Sequence, residues 1–536
     1  MPGLIEGTLP PPGRSAMRKP RPLGHELSRR SMIGLSGAVV VAAASGSARA
    51  ASSLTKPSSP SDLVMMDAVT LAGTIRSRRV SCVEVMTAHL DHIERVNPAV
   101  NAIVALQDRG ALIKQAEERD EQARRGAWLG PLHGFPHAVK DLEQVKGIVS
   151  TLGSPIFRNS VPAKDSLMVE RLRRAGVVFI GKTNAPEFGL GSHTFNKVYG
   201  TTRNPYDLSR SAGGSTGGGA VALALRMVPL ADGSDFGGSL RNPAAWNNVL
   251  GFRTGFGRVA AAGDEIWLPT MAVTGPMARS VPDLALLLKV QSGFDDRAPL
   301  SMEGTSLNLD GLSANLKGKR IGWLGDYGGF TPCETSVLDG CKAALKTFEG
   351  LGCVVEEAMP DFPLEPVWQA LLKLRGWMSG GGILELYNDP AKRAMLKPEA
   401  IFEVESGLKL SAFDIRAASA VRSQWYGAIR RLFSRYDYLV VPATQILPFD
   451  AAKDWPHEIN GIAMRTYHEW QKGNFLITMT GCPALAVPAG FSADGLPIGI
   501  QIVAPVNHER ACLQLGHAYT QATNLTATHL PPQLRA

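Results

Sequence analysis

Beyond Gly130 the chain is written in short apolar runs punctuated by glycine and proline, and that pattern restricts its fold more than any other feature. Phe135-Pro-His-Ala-Val139 and Val177-Val-Phe-Ile180 are too short for helices and too apolar for surface turns, so both read as buried strands. Ser166 to Ala175, between them, reads as a helix. Tyr438-Leu-Val-Val-Pro442, Ala484-Leu-Ala-Val-Pro488 and Gly499-Ile-Gln-Ile-Val503 resume the strand pattern near the end. Strands alternating with helices predict an α/β sheet with helices on both faces. Upstream, Asp67 to about Ala123 has helical period, with an interruption expected at Asn97-Pro98. Residues 299–434 carry less glycine and more charge, and read as a peripheral, more variable layer with a strand at Lys319–Leu324.

Charge separates the start of the chain from the rest. Residues 1–50 contribute +5 of the net +8, leaving +3 for all that follows, with no basic run interleaved with aromatics. A nucleic-acid partner is therefore not expected. The basic start, Arg29-Arg30, the apolar stretch Met32–Ala44 and Ala48-Arg49-Ala50 match the successive regions of a twin-arginine export signal. Met32 stands where phenylalanine is usual, and no lysine follows. The apolar stretch is shorter than the roughly 20 residues a membrane span needs. The expected organisation is thus a signal peptide at 1–50, a flexible neck at 51–66 and an enzyme domain at 67–530. The expected destination is the periplasm or exterior, with the twin-arginine machinery as a partner. The six cysteines (82, 333, 341, 353, 482 and 512) show neither metal-ligand nor C-x-x-C spacing. No metal or cofactor is expected. One disulfide among Cys333, Cys341 and Cys353 is open to the chain, but buried free thiols are the plainer reading.

Two motif matches fail on physical grounds. Gly176-Val-Val-Phe-Ile-Gly-Lys-Thr183 fits the phosphate-binding G-x-x-x-x-G-K-[ST] pattern, but its middle residues belong in a sheet ladder that consumes the N–H groups a phosphate needs. Gly213-Gly-Ser-Thr-Gly217 fits the G-x-S-x-G elbow of α/β-hydrolases, in which a buried strand must lead into the serine. The residues before it, Thr201 to Ser211, are polar and turn-forming. An esterase using Ser215 in this way is the secondary reading.

Three other segments agree with one another. Gly130 to Asp141 places Lys140 at the end of a buried strand; Ser211 to Gly219 presents Ser215 in a glycine loop; Gly233 to Arg241 presents Ser239 after two glycines. A hydroxyl becomes a good nucleophile only when a base takes its proton, and lysine can do so only when neutral, which burial favours. The N–H groups of Phe236, Gly237 and Gly238 could converge on one oxygen and stabilise an oxyanion. Asp235 and Arg241 suit a bracing role for that loop. His133 and His137 have no aspartate at a suitable spacing and read as structural.

These three segments resemble those of the amidase signature family. Lys140 lies in Gly-Pro-Leu-His-Gly-Phe-Pro-His-Ala-Val-Lys-Asp, and Gly213-Gly-Ser215 and Gly233-Ser-Asp-Phe-Gly-Gly-Ser239-Leu-Arg241 match the serine-glycine signature. Gly181-Lys-Thr-Asn-Ala-Pro-Glu-Phe188, Gly275-Pro-Met-Ala-Arg279 and Gly481 to Gly490 extend the likeness across roughly 67–525. The resemblance implies a single large α/β domain with a central mixed twisted sheet. It also implies hydrolysis of a small-molecule amide to an acid plus ammonia or an amine, without a cofactor. Ser239 would be the nucleophile, Ser215 the bridging serine on a cis peptide, and Lys140 the base, with Thr216 of little consequence. Trp246 and the 299–434 layer are the expected places for the acyl pocket. An alternative within the family is the A-type component of the transfer-RNA amidotransferase, which the export signal opposes. A homodimer is compatible with the chain.

Overall fold

A computed structural model describes residues 59–263, 265–268, 270–304 and 311–535. The expected export signal and most of the expected neck lie outside these residues.

Within the neck, Pro60–Met65 is helical rather than flexible. Ser59 caps it in a reciprocal capping box with Asp62, and Leu63 and Val64 are buried. The helix Cys82–Val100 runs through Asn97-Pro98 instead of stopping there, and ends at Asn101 in the left-handed conformation. The helix Leu167–Arg174 occupies the span expected of it.

Eleven strands matter here. β1 (Ile103–Val104), β2 (Pro136–Lys140) and β3 (Val178–Thr183) form a small sheet in the order β1-β3-β2, with β2 and β3 parallel. β3 runs through Gly181-Lys-Thr183, so those N–H groups sit in a strand and not in a phosphate loop. The main sheet has eight strands: β4 (Ala231–Asp235), β5 (Leu250–Arg253), β6 (Val273–Ala278), β7 (Arg320–Trp323), β8 (Val354–Glu357), β9 (Tyr438–Pro442), β10 (Ala484–Phe491) and β11 (Pro497–Val503). Their order is β8-β7-β9-β11-β10-β5-β6-β4. β7 pairs in parallel with β8 and β9, and every other pair is antiparallel, so the sheet is mixed.

Helices cover both faces, as the alternation of side chains along β11 shows. Ile498 points at Gly340 of the helix Thr335–Gly350, and the next residue, Gly499, lies directly under Ala245 of the helix Arg241–Trp246. Residues 299–434 are not merely peripheral. They supply β7 and β8 at one end of the main sheet, and their long helix Leu364–Asn388 packs on Pro398–Leu408 and Ala412–Leu432. All six cysteines are buried and free. Among the described residues no helix is long and apolar enough to cross a membrane.

Candidate active site

Lys140 ends β2 and is fully buried. Strand alternation sends its neighbour Asp141 the other way, to Thr151 and to Lys182 (3.8 Å). Lys140 Nζ therefore meets hydroxyls and no carboxylate: it donates to Ser215 Oγ (2.8 Å), Thr216 Oγ1 (2.8 Å) and Ser234 Oγ (3.0 Å). Burial drives its pKa from 10.5 down to about 7, while Asp232, Asp235 and Glu143 pull weakly the other way. Near neutral pH a sizeable share of this amine carries a lone pair.

Ser215 precedes the helix Gly217–Ala224, on a loop in which the Gly214–Ser215 peptide is cis. Side chains from Ser192–Thr194 hold that loop by its carbonyls. Ser192 Oγ donates to Gly214 O (2.6 Å), and Thr194 Oγ1 donates to Gly213 O (2.8 Å). No buried strand leads into Ser215, so the α/β-hydrolase elbow is excluded. Thr216 is more than a bystander, contrary to expectation, since its hydroxyl binds Lys140 Nζ and its N–H binds Ser239 O (3.2 Å).

Ser239 is half-buried and lines the same pocket as Ser215. Its loop leaves β4 at Asp235, whose carboxylate is ringed by donors. Gly238 N (3.0 Å), Leu240 N (3.1 Å), Arg241 Nε (3.0 Å) and Nη2 (2.9 Å), and Arg253 Nη1 (3.2 Å) all reach it. Burial opposes the charge on Asp235, but Arg241 and Arg253 outweigh it and hold the carboxyl well below its usual range. Arg241 continues to Gln501 (2.8 Å) and Thr478 (2.8 Å). Glycine is obligatory in this loop. A Cβ on Gly237 would lie 2.1 Å from Phe475, and Gly238 has φ +112° with Asn474 2.6 Å from where its Cβ would stand.

This bracing corrects one expectation. The Gly238 N–H is spent on Asp235 and cannot serve an oxyanion. The N–H groups of Phe236, Gly237 and Ser239 take no protein acceptor among the described residues.

The histidines also separate. His133 bonds Arg119 O (2.9 Å), away from the pocket. His137 does have a carboxylate partner, 95 residues on: its Nε2 lies 2.9 Å from Asp232 Oδ1, with both side chains buried. Asp232 Oδ2 also accepts the Lys140 backbone N–H (3.2 Å), so the pair fastens the strand end that carries the lysine.

The pocket over these residues has a volume of about 260 Å³. Leu142, Phe188, Leu190, Ala272 and Phe236 give it apolar walls, and Arg375, Met378 and Ser379 of the helix Leu364–Asn388 close one side. The expectation that residues 299–434 shape the pocket thus holds. The expectation for Trp246 does not: it is fully buried, stacks on Trp470 at 5.8 Å and donates to Ile446 O (3.0 Å).

Residues 84–513 match the Amidase family. An acylamidase of Rhodococcus erythropolis is 34% identical over 457 residues, covering 85% of this chain and 94% of that protein. The A-type component of the glutamyl-tRNA(Gln) amidotransferase of Acidothermus cellulolyticus is 33% identical, covering 86% of this chain and 95% of its own. The crystal structure of a bacterial aryl acylamidase of the amidase signature family superimposes with a TM-score of 0.79 at 27% identity, over 86% of this chain and 98% of that one.

Proposed function

The chain belongs to the amidase family, and from that premise we propose that it hydrolyses its amide through an acyl-enzyme on Ser239. The observation that carries this reading is the 2.8 Å contact between the buried Lys140 amine and Ser215 Oγ, in the pocket that Ser239 also lines. Neutral Lys140 takes the Ser215 proton while Ser215 takes that of Ser239, whose oxygen attacks the amide carbon. The oxyanion draws on the N–H groups of Phe236, Gly237 and Ser239, a type of donor worth about 2.7–4 kcal/mol each where it has been removed. Collapse returns the proton through Ser215 to the leaving nitrogen, which departs as ammonia or an amine. Water then repeats the relay on the ester and releases the acid.

The apolar walls suit an acyl or aryl group, in keeping with the acylamidase and aryl acylamidase relatives. A panel of aliphatic, aryl and peptide amides on the purified chain tests this. Turnover of some member, lost in Ser239→Ala, is the expected result; turnover retained in Ser239→Ala overturns the assignment. The amidotransferase likeness supplies a second reading, in which the chain works as one component of a larger enzyme. Amide hydrolysis by the isolated chain counts against it.

Arg29-Arg30 and the apolar stretch behind it support export by the twin-arginine route to the periplasm or beyond. Replacing both arginines with lysine should keep the protein in the cytoplasm; unchanged export contradicts this.

A further inference from the structure

The pocket also holds a cation that the relay does not use. Arg375 is 5% exposed and projects from the helix Leu364–Asn388 into the pocket lined by Ser239. Two of its three guanidinium nitrogens are engaged from behind. Nε donates to Glu403 Oε1 (2.7 Å) and lies 2.8 Å from His468 Nε2, and Nη2 donates to Tyr467 Oη (3.1 Å). Glu403 also accepts from Tyr467 and meets His468 at 2.9 Å, so the clamp is itself fixed. The Phe236 ring flanks the guanidinium at 4.9 Å and Phe475 at 5.4 Å. Nη1 takes no acceptor among the described residues.

A buried arginine kept charged, oriented by three side chains and left with one free amino group is a preorganised donor. Glu403 already balances its charge, so an anion in the pocket would face that carboxylate. A neutral oxygen meets no such opposition. We propose that Arg375 Nη1 binds a second carbonyl oxygen on the acyl part of the substrate, so that the preferred substrates are amides with another carbonyl beyond an apolar spacer. This rests on the amidase reading above and names the substrate class for that same pocket.

The test compares three linear series of matched length: simple alkanamides (pentanamide to heptanamide), the corresponding α,ω-diamides, and the monoamides ending in a carboxylate. Steady-state kinetics are measured on the wild type, Arg375→Lys and Arg375→Gln. At the length that fits, the diamide should exceed the alkanamide in kcat/KM by about tenfold or more, expressed in KM, as a charge-assisted hydrogen bond provides. That ratio should collapse in both variants. Equal loss on all three series, or a preference for the carboxylate series, overturns the proposal. Arg375→Lys keeps a charge for Glu403 should Arg375→Gln fail to fold. Calorimetric binding of the same compounds to Ser239→Ala, which retains Arg375, reads the preference without turnover: tighter binding of the diamide supports the proposal and equal binding overturns it. Absence of turnover in the wild type would instead count against the amidase mechanism, independently of that binding result.

Discussion

The two charged walls of the pocket are built from the same parts and finished differently. On the serine side, Asp235 is held by Arg241, Arg253 and two backbone N–H groups, and Arg241 bonds onward to Gln501 and Thr478. On the helix side, Arg375 is held by Glu403, His468 and Tyr467, yet its Nη1 takes no acceptor among the described residues. The first cluster turns its bonding inward and fixes a backbone; the second leaves a donor at the pocket. A buried ion pair is weak evidence for stability in itself, but breaking one strands a charge. The serine wall is thus organised to hold still, and the helix wall to make contact.

Mutations should separate the two. The largest effects belong to the relay: Ser239→Ala and Lys140→Met should each lower kcat by roughly 10⁴-fold or more, with thermal unfolding little changed. Lys140→Met keeping most of the rate would rule the relay out. Next, Asp235→Ala leaves Arg241 and Arg253 buried without their carboxylate, and should cost about 3–5 kcal/mol by denaturant titration. Arg375→Lys should cost clearly less, and equal costs would erase the contrast between the walls. A smaller change concerns pH. Activity needs the neutral amine, so kcat/KM should climb with pH around a midpoint of about 7. Asp232 favours the ammonium form, so Asp232→Asn should carry that midpoint to lower pH; an unmoved or raised midpoint contradicts the assignment. The smallest effect is that of Thr216→Ala. It removes one neutral hydrogen bond to Lys140, worth about 0.5–1.5 kcal/mol, and should cost about two- to tenfold in kcat/KM.

Legibility in the sequence divides along the same line. Lys140, Ser215 and Ser239 each sit in a contiguous segment that resembles the amidase signature, so local sequence marks them. Contacts made across the fold have no such signature. The aspartate near His137 in the sequence, Asp141, turns to Thr151 and Lys182, and the actual partner of His137, Asp232, lies on another strand 95 residues away. The Gly238 N–H reads as a free oxyanion donor from the glycine run alone, but the Asp235 carboxylate folds back onto it. Thr216 reads as dispensable beside Ser215, yet its hydroxyl rests on Lys140. Trp246, a large aromatic near the signature, suggests a pocket wall and is core. Arg375 sits in an ordinary helical run, Leu371-Leu-Lys-Leu-Arg375-Gly-Trp377, and nothing local marks it as facing a substrate.

The central claim is that Ser239, and not its partner Ser215, attacks the amide. Labelling the purified chain with a fluorophosphonate and mapping the adduct by peptide mass spectrometry tests it most directly. A single adduct should appear on the peptide containing Ser239, formed faster as pH rises through about 7 and abolished in Lys140→Met. An adduct on Ser215, or labelling indifferent to Lys140, would contradict it.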